Sequence, residues 1–403
     1  SGVLRSSEAI MSTSATVRRR YGQIAAGLLL VALGGCATAP KGEEPVRLVW
    51  PSPPLTARVE FVRSIVSDED LGRDTTFSQN LFAFLAGDKP EPNRILEPMG
   101  LAISDDGQRL YVSDFARLEV FVFDFWQKKF SKIGEAEKLA RPVGLALDAQ
   151  EQLYVVEQEK RGVSVFDRQG KRVRFFTHPS IERPTGIALD RQRGKIYLAD
   201  TAHTKSEKHT IKVFDMAGDL IGTVGGERGE EPGQFLFPTY VAVDGTGNLY
   251  VTDTLNSRLQ VFDPDGKYVR TIGQRGSAWG MFDKPKGVAL DSFGNVYVAD
   301  SGWSNVQIFN PKGQVVLFFG GRGPIPGMLK NPTAIVIDRG NRIYVGDYLN
   351  HRVEVYQLVN TRAEDSVLNP VAETKGGEAE RTTGTAGNVT QRNEKSAKGD
   401  DVK

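Results

Sequence analysis

The sequence contains very little cysteine and histidine, with one Cys and four His among 403 residues. A single cysteine cannot form an intrachain disulfide, a cysteine-based zinc ribbon or a Cys-x-x-Cys-His haem site. The 51 Lys and Arg residues nearly balance the 50 Asp and Glu residues, so the chain has no global basic field for nucleic acid. A Gly-x-Ser-x-Gly elbow, a Walker loop and a dinucleotide fingerprint are also missing, which argues against the enzyme classes that depend on them.

What the sequence does contain is six tandem units. In each unit a proline leads into a short apolar strand, and a second, tyrosine-centred strand ends in an acid. A repeat of roughly 40 to 50 residues with four short strands is typical of a β-propeller blade. We therefore predict an all-β fold, a six-bladed β-propeller of four-stranded antiparallel blades. The strand-ending acids are Asp114, Glu157, Asp200, Asp253, Asp300 and Asp347.

The sixth unit has no fourth strand of its own, because the chain becomes polar and Gly-rich soon after Tyr356. Residues 57–66 form a strand-like run upstream that belongs to no unit. Pairing this run with the sixth unit closes the ring and covers an open sheet edge. We therefore predict that the N-terminal strand completes the last blade.

Most turns from the third to the fourth strand end in a glycine that suits a positive φ. The first unit instead reads DFWQ at residues 124–127, which predicts a differently built hairpin with more exposed aromatic surface. The turn glycines are Gly170, Gly218, Gly266 and Gly313.

Residues 95–358 resemble the NHL-repeat family of six-bladed propellers. The resemblance is clearest in residues 233–235 (GQF), in residues 248–253 (NLYVTD) and in residues 341–347 (NRIYVGD). Tyr240 departs from the family pattern, which has Gly after the proline. In a propeller, the loops from fourth to first strand and from second to third strand gather on one face, which is the expected binding surface.

The N-terminal segment resembles a bacterial lipoprotein signal with its lipobox. Three arginines at residues 18–20 precede an apolar stretch at residues 24–33, and LGGC follows at residues 33–36. The stretch is shorter than the roughly 20 residues of a membrane-spanning helix. This order of features predicts cleavage before Cys36 and acylation of its sulfur, which anchors the protein in the bacterial cell envelope, at the outer membrane or facing the periplasm.

We divide the chain into four segments. Residues 1–35 are a leader and signal peptide, residues 36–56 a Pro-rich tether, residues 57–360 the propeller and residues 361–403 a disordered tail. Apolar residues at near-helical spacing predict a short amphipathic helix near residues 75–86. This helix packs on the ring as a lid, or it docks a partner or a membrane surface.

Basic and aromatic side chains on the binding face suit an anionic or peptide ligand. Arg258 and Arg352 also have a structural interpretation, because they follow the strand-ending acids at a repeated position. The irregular loop at residues 201–210 is expected to set the choice of partner. The ligand-binding candidates are Arg117, Arg161, His203, Lys205, His209, Tyr240, Arg258, Lys286, Trp303, Tyr348 and Arg352.

No cofactor is expected, although zinc or calcium is an open alternative. Some related six-bladed propellers are zinc-dependent lyases that use several loop histidines, and we place His203, His209 and His351 in such loops. Two of them share one loop of blade three while His351 belongs to blade six, which argues against a common site. We expect the repeated acids to form structural hydrogen bonds rather than a ring of metal ligands.

The sequence thus favours an exported, lipid-anchored and non-catalytic module for recognition or scaffolding. Its expected partner is a protein, a peptide or an extracellular polymer. A metal-dependent lyase or a lactonase-like hydrolase is the first alternative. Binding of nucleic acid, which animal relatives perform on the same face, is less favoured because export removes the usual targets.

Overall fold

The computed structural model of the protein describes residues 47–72, 91–135 and 138–361. These residues form 25 strands and two short 3₁₀ turns, and they contain no α-helix. The predicted signal peptide, Cys36, the helix near residues 75–86 and residues 362–403 of the tail lie outside the described residues. Within the described part of the chain, no helix is long and apolar enough to cross a membrane.

The strands form six antiparallel sheets, which are the blades of a β-propeller. The N-terminal segment contributes β1 (Val49–Trp50) and β2 (Val59–Ile65), and the 3₁₀ turns are Asp68–Leu71 and Thr254–Asn256. Blade one consists of β3 (Pro98–Ile103), β4 (Arg109–Asp114), β5 (Glu119–Asp124) and β6 (Lys129–Ile133). Blade two consists of β7 (Pro142–Leu147), β8 (Leu153–Glu157), β9 (Gly162–Phe166) and β10 (Arg172–Thr177). Blade three consists of β11 (Pro184–Asp190), β12 (Lys195–Asp200), β13 (Lys208–Asp215) and β14 (Leu220–Glu227).

Blade four consists of β15 (Pro238–Val243), β16 (Leu249–Asp253), β17 (Arg258–Phe262) and β18 (Tyr268–Ile272). Blade five consists of β19 (Pro285–Leu290), β20 (Val296–Asp300), β21 (Asn305–Phe309) and β22 (Val315–Gly320). Blade six consists of β23 (Pro332–Ile337), β24 (Arg342–Asp347) and β25 (Arg352–Leu358), together with β2 and β1. The predicted six-bladed architecture is therefore confirmed.

The first strands of the blades line the centre of the ring. They contact each other in the cyclic order β3, β7, β11, β15, β19 and β23, and β23 contacts β3. The hydrophobic core lies between neighbouring blades, where for example Val120 and Ile133 of blade one pack with Leu145 and Leu153 of blade two. Burial of these apolar faces is the main favourable contribution to folding, at about 25 cal/mol per Å².

The first strands approach each other so closely that most of them have glycine at the third position. A Cβ atom on Gly144 would lie 2.4 Å from the carbonyl oxygen of Thr185 in the next blade. A Cβ atom on Gly287 would lie 2.5 Å from the carbonyl oxygen of Thr333. These distances are shorter than real Cβ contacts, so a larger residue forces the two strands apart. Blade four has Tyr240 at this position.

The fourth strand of blade six comes from the N-terminal segment. β2 pairs antiparallel with β25, with Val59 opposite Leu358 and Ile65 opposite Val353. Val59 and Ile65 are fully buried. The strand lies within the run expected at residues 57–66, and β25 consequently has a paired strand on both sides.

The propeller includes a strand that precedes the expected first residue, 57. β1 pairs with β2, with Trp50 opposite Val59. The ring centroid of Trp50 lies 5.8 Å from that of Tyr356 and 6.1 Å from that of Phe319. The Pro-rich composition of residues 36–56 predicts a tether, but Trp50 has a cluster of rings to pack on, and this contact brings residues 49–56 into the propeller.

The turn predictions are confirmed. Trp126 in the differently built hairpin of blade one is 78% exposed, and Lys128 has the left-handed conformation there with φ of 49°. The expected glycines have positive φ values, which are 84° at Gly170, 95° at Gly218, 81° at Gly266 and 80° at Gly313.

Candidate functional site

The loop face is the side of the ring that carries the loops from fourth to first strand and from second to third strand. The six strand-ending acids lie buried beneath this face. Asp300, for example, accepts hydrogen bonds from the N–H groups of Asp283 and Lys284 at 2.8 and 3.0 Å, and Asp347 holds its own loop in the same way. The other four acids each accept an N–H from the loop before the first strand of their own blade. The predicted structural role of the acids is confirmed, since they fasten the loops to the blades.

Two of the basic candidates belong to the same loop-holding network. Arg258 pairs with Asp253 at 2.9 Å and donates to three carbonyl oxygens of the loop before β15. Arg352 pairs with Glu354 and donates to carbonyl oxygens of the loop before β23. Their side chains are only 12% and 10% exposed. Both guanidinium groups therefore support the loops and present little surface to a ligand.

Tyr240 spans the centre of the ring. Its hydroxyl group donates to the carbonyl oxygen of Met99 at 2.5 Å, so the side chain reaches from blade four to the opposite blade one. Burial raises the pKa of this hydroxyl, which therefore remains a hydrogen-bond donor at neutral pH. The channel holds a cavity of about 320 Å³, lined mostly by aliphatic residues of the first strands. Asp105 and Arg191 lie at the hairpin end of the channel and form an ion pair at 2.9 Å.

Lys286 occupies the second position of the first strand of blade five. Its ammonium group donates to Oδ1 of Asn331 at 3.3 Å. Burial, together with the nearby charge of Lys284, lowers the pKa of Lys286. A lysine of lowered pKa is a candidate nucleophile or base. The side-chain partner of Lys286, however, is the amide of Asn331 and not a titrating group.

The remaining loop candidates are spread around the rim of the loop face. Trp303 donates from its indole nitrogen to the carbonyl oxygen of Gly276 at 3.0 Å, and Arg117 donates to the carbonyl oxygen of Arg94 at 2.9 Å. Burial and the nearby Glu97 raise the pKa of Tyr348. These residues occupy the second-to-third-strand loops of five different blades, so they do not form a single cluster. They are Arg117, Arg161, His203, Lys205, Trp303 and Tyr348.

The prediction that His209 lies in a loop is wrong. Pairing of β13 with β14 extends to His209, which lies opposite Gly226 and is fully buried. Its Nδ1 atom accepts the N–H of Phe237 at 2.9 Å, and burial lowers its pKa. His209 therefore serves as a hydrogen-bond acceptor inside blade three.

The three candidate histidines do not fit a common zinc site. His351 lies in blade six, on the side of the ring opposite His203 of blade three, and its Nδ1 atom bonds to the carbonyl oxygen of Leu96. His209 is enclosed in its sheet. Within residues 47–72, 91–135 and 138–361, no group of three His, Cys, Asp or Glu side chains is arranged to hold a metal ion.

The loop face carries a feature to which only one of the ligand-binding candidates, Trp303, belongs. Five consecutive loops of blades four to six each present one exposed apolar side chain, and we call this set the apolar band. The signal in the sequence is an apolar residue at each of five turns that are otherwise polar. The apolar band consists of Leu255 (39% exposed), Trp279 (60%), Trp303 (42%), Ile325 (56%) and Leu349 (42%).

Arginine side chains of neighbouring loops hold two loops of the apolar band. Arg275 donates to the carbonyl oxygen of Leu255 at 2.6 Å, and Arg322 donates to that of Gly302 at 2.9 Å. The ring of Trp279 packs edge-on against Phe318, with centroids 5.0 Å apart. These contacts hold two of the loops and the ring of Trp279 in place before any partner arrives.

Two family profiles match the chain, one in each half of the ring. Residues 89–202 match the SMP-30/Gluconolactonase/LRE-like region, and residues 235–262 and 282–309 match the NHL repeat. Protein brain tumor of Drosophila melanogaster is 24% identical over 152 residues, which are 36% of this chain and 14% of that protein. The B-box type zinc finger protein ncl-1 of Caenorhabditis elegans is 51% identical over 43 residues, which are 11% of this chain and 5% of that protein. The chain thus spans only a small part of both relatives.

The solved structure of a proposed gluconolactonase has a TM-score of 0.52 to this chain at 13% identity, and the match covers 66% of this chain and 89% of that one. This likeness concerns the fold. The fold and the loop face define a six-bladed β-propeller. Within that class, segments of blades four and five match the NHL repeat, and the match to the SMP-30/Gluconolactonase/LRE-like region extends from blade one to the second strand of blade three.

Proposed function

We propose that the protein is a recognition module that binds a protein partner on the apolar band. The observation that carries this proposal is one exposed apolar side chain in each of five consecutive loops. Apolar surface that recurs over neighbouring loops is typical of an interaction site, and Trp is enriched among the residues that dominate binding energy. Because the loops are already held by Asp300, Arg275 and Arg322, little conformational entropy is lost on binding.

The composition of the apolar band favours a protein or peptide over an extracellular polymer. Leu255, Ile325 and Leu349 are aliphatic, and aliphatic side chains pack best against apolar side chains of another protein. A sugar or a nucleobase needs flat aromatic surface together with planar polar groups. The band offers two indole rings among three aliphatic side chains, so a protein partner is the better fit.

The proposal includes export and lipid anchoring through Cys36. About a dozen residues separate Cys36 from β1, which corresponds to a reach of roughly 40 Å when fully extended. An acylated Cys36 thus keeps the ring close to a membrane. Labelling with an alkyne fatty acid tests this anchor: the wild type takes up label, and Cys36→Ser does not. Label on the Cys36→Ser variant contradicts the anchor without affecting the proposed band.

Site-specific photo-crosslinking in the cells that produce the protein tests the recognition face. A photo-reactive residue at Trp303 and, separately, at Ile325 is expected to crosslink the same discrete protein. The control position is Val173 on the outer strand of blade two, which is 50% exposed. The proposal fails if Val173 yields the same crosslinked protein, or if neither position in the band yields one.

A metal-dependent lyase or hydrolase is the second candidate, and the match of residues 89–202 to the SMP-30/Gluconolactonase/LRE-like region favours it. Elemental analysis of the purified protein, combined with a lactone hydrolysis assay, tests this candidate. Stoichiometric zinc or calcium with turnover supports an enzyme. Protein without metal and without turnover leaves the recognition proposal in place.

A further inference from the structure

Each fourth strand places one residue beside the following blade, near the hairpin that joins the third and fourth strands of that blade. In all six blades this residue lies opposite a Val or Ile of the third strand, and in blades one to five it follows the first paired residue of the fourth strand by two positions. We call it the junction position. In blades one to six the junction position is Ser131, Arg174, Gly222, Arg270, Leu317 and Arg63.

In two blades an arginine at the junction position bonds to the next hairpin. Arg174 donates to the carbonyl oxygen of Met216 at 2.5 Å, and Arg270 donates to that of Pro311 at 2.8 Å. Met216 and Pro311 are both the second residue of their Asx-x-x-Gly turn. The arginine thus fills the space between two blades and satisfies a hairpin carbonyl.

The other junctions are filled by related means. In blade six the guanidinium of Arg63 lies over the ring of Phe125, 4.7 Å from its centroid. In blade five Leu317 is buried. In blade three, where the junction position is glycine, Lys195 donates to the carbonyl oxygen of Pro264 at 2.8 Å.

Blade one departs from this pattern, because Ser131 is too short to reach blade two. A cavity of about 710 Å³ lies at this junction, and a second cavity of about 320 Å³ lies against Trp126. Both cavities are lined by Arg109, Asp124 and Arg168, so they are adjacent, and we treat them as one cleft. We call it the junction cleft. Its size is in the range of ordinary ligand sites.

Four basic and three acidic side chains line the junction cleft, so their charges largely neutralise one another. They are Arg109, Lys129, Lys132, Arg168, Asp106, Asp124 and Glu151. Arg109 pairs with Asp124 at 2.8 Å, and Arg168 pairs with Glu151 at 3.0 Å. Trp126 presents its ring to solvent at the mouth. An aromatic ring can stack on the apolar face of a sugar, while carboxylate, guanidinium and amide groups bond to its hydroxyl groups. The paired cations make a strongly anionic ligand less suitable.

We propose that the junction cleft between blades one and two binds a neutral oligosaccharide, with one sugar ring stacked on Trp126. The site lies between the outer strands of the first half of the ring. It is separate from the apolar band on blades four to six. The inference therefore does not depend on the proposed protein partner.

The test is to fill the cleft with the residue that other blades use. Ser131→Arg is expected to donate to the carbonyl oxygen of Arg168, as Arg174 and Arg270 do to the matching carbonyls. An array of neutral chito-, cello-, malto- and xylo-oligosaccharides, together with acidic glycans, identifies a bound sugar for the wild type. Calorimetric titration with that sugar then measures the dissociation constants of the variants.

We expect Ser131→Arg and Trp126→Ala to weaken binding at least tenfold, and Tyr268→Ala, which removes an exposed ring on the outer strand of blade four, to bind like the wild type. An unchanged or higher melting temperature of Ser131→Arg shows that this variant is folded. The inference is overturned if no neutral sugar binds, if acidic glycans alone bind, or if Ser131→Arg binds as well as the wild type.

Discussion

The two halves of the ring share one scaffold but present different surfaces. In blades four to six the loops before the first strand are alike, and each contains a parallel bridge, which pairs Arg228 with Phe235 in the first of them and recurs in the next two. Loops at successive positions each contribute one exposed side chain to the apolar band. Blades one to three are less regular, and their irregularity produces a local feature, the junction cleft. The repeat thus builds an extended surface where it is regular and an isolated site where it is broken.

Removal of a loop-holding acid is expected to have the largest effect. Asp300→Ala leaves four N–H groups, those of residues 283, 284, 302 and 303, without their acceptor. We expect a loss of about 4 kcal/mol in the free energy of unfolding, measured by urea denaturation, together with loss of crosslinking at Trp303.

Asp114→Ala in blade one is the matched control. Asp114 also accepts several N–H groups, including that of Leu96 at 2.7 Å. This variant should lose comparable stability but retain crosslinking at Trp303. If both variants lose crosslinking to the same extent, the two halves do not differ in recognition.

The close approach of the first strands predicts the next effect, which should be equal in both halves. Gly144→Ala in blade two and Gly287→Ala in blade five should each lower the free energy of unfolding by about 3 kcal/mol, because the new methyl group meets a backbone carbonyl. Gly226→Ala is the control, since a Cβ there has nothing within 4 Å. If one of the two substitutions leaves the free energy of unfolding unchanged, the two halves do not share this packing.

Tyr240 links the halves across the channel, and Tyr240→Phe removes the link while keeping the ring. We expect a loss of about 1 kcal/mol in the free energy of unfolding, the ordinary net contribution of one hydrogen bond, measured by urea denaturation. Tyr348→Phe, on the rim, is the control and should change stability less. Equal effects of the two substitutions would contradict a strut between blade four and blade one.

The smallest expected effect is a pH dependence from His209. Its pKa in the folded protein lies below the ordinary value of 6.5, so the unfolded chain binds the proton first as the pH falls. Stability is therefore fully present above pH 6.5 and decreases as the pH falls towards the folded pKa. His209→Asn, which keeps an acceptor for the N–H of Phe237, should show a shallower slope between pH 7 and pH 5. An unchanged slope would assign the pH dependence to other groups.

The sequence predicts what depends on the repeat period. The six blades, the turn glycines such as Gly266 and the buried role of acids such as Asp300 follow from local patterns that recur. His209 was misplaced because the length of a strand pair depends on its partner, here Gly226 of β14. Trp50 was assigned to a tether because composition does not reveal a distant aromatic cluster.

The sites were harder to predict than the fold. The role of Tyr240 as a strut depends on Met99, more than a hundred residues away in the chain. The significance of Ser131 depends on its register beside the hairpin of the next blade, which no single repeat shows. Of the apolar band, only Trp303 is among the predicted ligand-binding residues, because basic and aromatic side chains suit an anionic or peptide ligand, whereas aliphatic members such as Leu255 and Ile325 become recognisable only from their exposure in the fold.

The most direct test of recognition by blades four to six is the affinity of the crosslinked partner, measured by calorimetry. The double substitution Trp303→Ala with Ile325→Ala should raise the dissociation constant at least thirtyfold, since buried aromatic anchors contribute about 2 kcal/mol or more. The control is Val173→Ala with Ile221→Ala, two residues that are 50% and 54% exposed on the outer strands of blades two and three. It should leave the dissociation constant within twofold of the wild type. Equal losses in the two double variants, or no loss in the first, would contradict the account.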